Sequence, residues 1–100
     1  ESEFMIYGKI VTDQIYYEVY PGLLKFLEDY YSDLEFGLQG DAYIWIKSGE
    51  HLVSLDTFTS MRFQIKSTGV RENFVKDVIS ILSRAYEVNI YEIPEPEYYE

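Results

Sequence analysis

The spacing of apolar residues switches between the strand period and the helix period, in the order strand, helix, strands, helix, strand. That succession leaves few architectures open. Residues 5–11 (Met-Ile-Tyr-Gly-Lys-Ile-Val) are rich in apolar and β-branched types and predict a first strand. Thr12 and Asp13 are helix N-cap types. Ile15, Val19, Leu23, Leu27, Tyr30 and Leu34 then recur at helical spacing and predict a helix near 13–33. Pro21-Gly22 falls inside it and predicts a kink or a restart. A competing reading pairs 5–11 with 15–20 as a hairpin and starts the helix at Pro21.

Residues 34–67 read as β-rich, punctuated by turn signals at Gly37, Gly40-Asp41 and Ser48-Gly49. Residues 42–47 alternate: Ile44 and Ile46 share one face, and Tyr43, Trp45 and Lys47 share the other. Residues 52–58 form the next strand. Residues 61–67 alternate again, with Met61, Phe63 and Ile65 opposite Arg62, Gln64 and Lys66. Thr68-Gly69 marks a break before a second helix near 71–86. Its apolar stripe is Phe74, Val78, Ile81, Leu82 and Ala85, widened by Val75 and Ile79. Residues 88–93 form a last strand, which Pro94 and Pro96 end.

This order predicts an α+β fold, a ferredoxin-like split βαβ sandwich. It has an antiparallel sheet of about four or five strands, with two helices on one face and the other face free. Residues 5–93 form a single domain, residues 94–100 a flexible acidic tail, and residues 1–4 an appended remnant before a natural start at Met5. Such a fold hosts many functions, so the side chains must carry the functional argument.

Composition narrows the choices mainly by exclusion. The 100 residues carry 18 acidic and 8 basic side chains, a net charge of −10. This opposes direct nucleic-acid binding, which needs phosphate neutralisation, and it opposes docking on anionic lipid. It suits an encounter with a basic protein partner. With no cysteine there is no disulfide framework, thiolate metal site or thiol nucleophile. No apolar run reaches membrane length, the start Glu1-Ser2-Glu3-Phe4-Met5 does not read as a signal peptide, and the cytoplasm is the expected location.

Catalytic patterns are sparse. His51, the only histidine, lies beside a hairpin turn, and alternation does not bring it together with Ser54 and Asp56. No Gly-x-Ser-x-Gly elbow or phosphate loop occurs; Gly37 and Gly40 lack the lysine and helix such a loop needs. Asp29 and Asp33 would lie one turn apart on a helix, and a solvated face explains them without a cation. No cofactor, metal site or enzymatic activity is expected.

Two surfaces remain. Tyrosine supplies rigid contact area and acid supplies long-range attraction, and the two recur side by side in this chain. Glu28, Asp29, Tyr30, Tyr31 and Asp33 form the densest cluster and are candidates for binding a basic partner, in the manner of an inhibitor, an immunity protein or a nucleic-acid charge mimic. The alternative is a small-ligand or regulatory module on the free sheet face. There Tyr43, Trp45, Lys47, Arg62 and Lys66 would hold an anion, within one chain or across a homodimer.

Overall fold

The computed structural model describes residues 4–58, 60–67 and 72–96. Six strands and two helices follow in the order β1 (Met5–Val11), α1 (Tyr16–Glu28), β2 (Leu34–Gln39), β3 (Asp41–Ser48), β4 (His51–Asp56), β5 (Gln64–Ser67), α2 (Glu72–Leu82) and β6 (Glu87–Pro96). The architecture is mixed α+β. The sheet is antiparallel throughout, ordered β2-β3-β4-β5-β1-β6, and so has six strands rather than four or five.

The additional strand is β2. Gly37 reads as a turn signal but sits mid-strand, paired with Tyr43. The turns are at Gly40 and Gly49, whose φ values of 80° and 62° suit glycine. Other boundaries also move. β5 starts at Gln64, because residues 60–62 form a bend. α2 stops at Leu82, and Ala85 falls in the following turn, exposed. The expected break at Thr68-Gly69 lies outside the described residues, as do residues 97–100 of the expected tail.

α1 is one helix and not a hairpin strand. It runs through Pro21, which forfeits one N–H bond on the exposed side of its second turn. It begins at Tyr16, with Ile15 as an N-cap that makes no side-chain bond. Thr12 instead accepts the N–H of Gln14 at 3.1 Å.

Both helices cover the same sheet face. Val19, Leu23 and Leu27 of α1 join Val75, Val78 and Leu82 of α2 over Ile44, Ile46, Val53, Leu55 and Ile65. Each fully buried leucine contributes about 1.5–3 kcal/mol of burial energy. The strand alternation read for 42–47 holds in space: Ala42, Ile44 and Ile46 are sealed beneath the helices.

β6 departs most from expectation. It does not stop at Pro94; it continues through Pro96, which pairs with Met5. β6 is an edge strand, so its proline nitrogens need not serve a further neighbour. Its partner jumps from Glu95, opposite Ile6, to Ile90, opposite Gly8, so residues 91–94 bulge out across from Tyr7.

The return of β6 beside β1 requires Gly8. A Cβ there would lie 2.5 Å from the Asn89 carbonyl oxygen and 3.3 Å from the Ile90 Cα, both backbone atoms. Gly8→Ala is expected to destabilise the protein by about 1–3 kcal/mol, the usual cost of overpacking. Urea unfolding measures this, and an unchanged midpoint would mean that β6 is not held this closely.

Candidate functional site

The sheet face away from the helices carries the most chemistry. Tyr43, Trp45 and Lys47 project from β3 on this side, because their neighbours Ile44 and Ile46 point into the core. Gly37 on β2 leaves room for the Tyr43 ring: a Cβ there would be 2.6 Å from Tyr43 Cε1. The tyrosine ring therefore lies across the glycine. Its centroid is 5.2 Å from Trp45 and 6.3 Å from Phe58. A cleft of about 480 Å³ opens beside it, lined by Tyr43, Phe58, Gln39, Asp41 and the β2 strand at Gly37.

A buried ion pair lies within this face. Lys66 of β5 and Asp56 of β4 meet at 2.5 Å, their side chains 0% and 4% exposed. Asp56 also accepts the Ser54 hydroxyl at 2.6 Å and the Phe58 N–H at 3.3 Å. The ammonium lies 5.8 Å from the Phe58 ring centroid. Pairing registers explain the convergence. Ser54 opposes Lys66 on one side and Trp45 on the other, and Asp56 likewise bridges Gln64 and Tyr43. A charge pair this deep survives only with its counter-charge and hydrogen bonds in place.

Four of the five residues proposed for an anion site, Tyr43, Trp45, Lys47 and Lys66, share this face. Arg62 does not. It sits in the bend before β5, and its guanidinium donates to the Thr12 carbonyl. Both lysines already have a carboxylate partner. Lys66 is enclosed with Asp56, and Lys47 holds Glu35 at 2.7 Å. The hydrogen bond to Glu35 is the main reason the Lys47 pKa lies above its ordinary value. Sequence reading left out Gly37 and Phe58, and it did not place Ser54 and Asp56 beside Lys66. The available signal was the i, i+2 spacing of Ser54 and Asp56, which puts both on one strand face.

The second candidate cluster follows α1. The helix ends at Glu28 with Asp29 as its C-cap, so Asp29 and Asp33 are not one helical turn apart. A turn intervenes, and Asp33 already borders β2, where its carbonyl accepts the Lys47 N–H at 3.0 Å. Glu28, Asp29 and Asp33 are exposed. Tyr30 packs on Phe26 at 5.2 Å, with the Arg84 guanidinium 5.7 Å from its ring centroid. Tyr31 turns inward against Phe74 at 6.4 Å, and its hydroxyl is buried without a hydrogen-bond partner among the described residues. Burial, and secondarily the charge of Asp77, raises the Tyr31 pKa.

His51 lies 6.3 Å from Phe74 of α2, on the helix side of the sheet, whereas Ser54 and Asp56 share the far side. The three form no triad. Among the described residues, no group of three or more His, Asp or Glu side chains is arranged to hold a metal. No helix among them is long and apolar enough to cross a membrane. Comparison with known proteins finds no matching family model, no similar curated sequence and no similar solved structure.

Two substitutions test this description. Lys66→Ala strands the Asp56 carboxylate and is expected to cost about 3–5 kcal/mol in urea unfolding, whereas the paired change Lys66→Met with Asp56→Leu recovers most of it. Tyr31→Phe removes an unpaired hydroxyl and is expected to raise stability by about 1 kcal/mol. A lower melting temperature for Tyr31→Phe would show that the hydroxyl is satisfied after all.

Proposed function

We propose that this chain is a non-enzymatic interaction protein whose acidic surface meets a basic protein partner, as an inhibitor, immunity protein or charge mimic does. The observation that carries this reading is how the basic side chains are occupied. Lys66 is enclosed with Asp56, Lys47 pairs with Glu35, Arg62 donates to Thr12 and Arg84 packs on Tyr30. Exposed acids such as Glu28, Asp29 and Asp33 remain to set the field of a chain with net charge −10. Half-exposed Tyr30, beside these acids, supplies rigid contact area. The same occupancy weakens the reading of the far sheet face as an anion site. A cytoplasmic setting accords with a chain free of cysteine.

We also read the fold as a ferredoxin-like plan with an enlarged middle. Supporting this, β1 lies between β5 and β6, the two strands that α2 joins, as in a split βαβ unit. The meander β2–β5 stands where the plan has a two-stranded hairpin.

The test is capture of a basic protein from host lysate, followed by binding kinetics with the purified pair. The association rate is expected to fall steeply with salt, by tenfold or more over about one decade of ionic strength. Reversing Glu28, Asp29 and Asp33 to lysine is expected to slow association while leaving the fold intact. Salt-independent association, or full-speed binding by the reversed variant, would sink this reading.

A further inference from the structure

The two edges of the sheet are built differently. β6 carries Pro94 and Pro96, the bulge at 91–94, and Glu87, Glu92 and Glu95. Prolines, bulges and charges are the usual means of keeping an edge from pairing. β2, at the opposite edge, has none of the first two: its register with β3 is unbroken from Leu34 to Gln39. Its charged side chain, Glu35, is already held by Lys47.

The hydrogen-bonding direction of β2 follows from its register. The Lys47 N–H donates to the Asp33 carbonyl at 3.0 Å, so residues 33, 35, 37 and 39 bond to β3. The N–H and C=O groups of Leu34, Phe36 and Leu38 therefore point off the edge. These same three residues lie on the helix-covered face, opposite the core residues Ile46, Ile44 and Ala42. Yet Phe36 is 47% exposed and Leu38 42%. The core runs out unsealed along this strand.

We propose that β2 pairs with β2 of a second copy of this chain, antiparallel about a twofold axis at Phe36. Such an interface is isologous, so its residues must complement themselves. This register sets Phe36 opposite Phe36 and Leu34 opposite Leu38, and the three outward residues of each strand form hydrogen-bonded pairs. On the other face Glu35 falls opposite Gly37 and Asp33 opposite Gln39, so no acid faces an acid. The helix-side row continues from Ile44 through the two Phe36 rings to the second Ile44, joining the two cores. A basic strand from another protein would find no unpaired acid along β2 itself, which favours self-pairing. Two chains of charge −10 repel, so screening by salt strengthens this contact. That sign is opposite to the one expected for a basic partner, and the two readings fail separately.

Sedimentation velocity on the full chain tests the proposal, over roughly three decades of concentration from micromolar to millimolar and at low and high salt. A monomer–dimer equilibrium is expected, with the dimer share rising with salt. Phe36→Lys and Leu38→Lys, both at half-exposed positions, are expected to weaken dimerisation by about tenfold or more. Ile93→Lys, on the protected edge and 77% exposed, leaves it unchanged. Because the chain has no cysteine, Phe36→Cys reports the register. Its Cα atoms would lie about 5.5 Å apart, within disulfide reach, so a linked dimer forms on mild oxidation. Leu38→Cys, displaced from the axis, links slowly. A monomer under every condition overturns the proposal, as do equal linking rates for the two cysteines or undiminished dimerisation of both lysine variants. So does binding of a basic peptide at this edge by a chain that never self-associates.

Discussion

A lysine ammonium enclosed in a sheet face is tolerable only if a counter-charge is enclosed with it. Lys66 and Asp56 meet that condition at 2.5 Å, and much of the far face is arranged around them. Each partner comes from a different strand, so the pair holds only in one register of β4 on β5. Slipping that register by a residue would turn Lys66 toward the helices and expose Ile65. Ser54 and the Phe58 N–H occupy further lone pairs of the carboxylate, and Phe58 also brings its ring over the ammonium. The aromatic row of Phe58, Tyr43 and Trp45 thereby shields the pair, and Gly37 lets the Tyr43 ring close over β2.

Periodicity made the helix-covered half of this architecture legible. Strand β1, the stripe of α1 and the alternation of β3 all follow from residues that repeat toward one core. Features that depend on a distant partner did not show. Gly37 looks like a turn because glycine is a poor strand residue; it tolerates mid-strand placement because Tyr43, six residues on, covers it. Pro94 and Pro96 look like a stop, and at an edge they are not one. Alternation put Lys66 on the far face, but its burial depends on Asp56, ten residues earlier in the chain. Arg62 joined that face on paper only through an alternation that the bend at 60–62 breaks. The acidic cluster from Glu28 to Asp33 was found as a run of residues, and the end of α1 then divided it into exposed acids and an inward-facing Tyr31.

Charge and edge geometry constrain this surface independently. Because several cations are committed to internal partners, the remaining acids act over long range on whatever approaches, attracting basic surfaces and repelling copies of the chain. Edge geometry acts only at contact, through backbone groups that need partners and apolar side chains that need cover. On β6 the two agree, since glutamates, prolines and a bulge all discourage pairing. On β2 they diverge: Phe36 and Leu38 are left half exposed beside backbone groups that point outward, while the net charge opposes a second copy. Ionic strength weighs one against the other, because screening weakens the long-range term and leaves the hydrogen bonds and apolar contact of the edge largely unchanged.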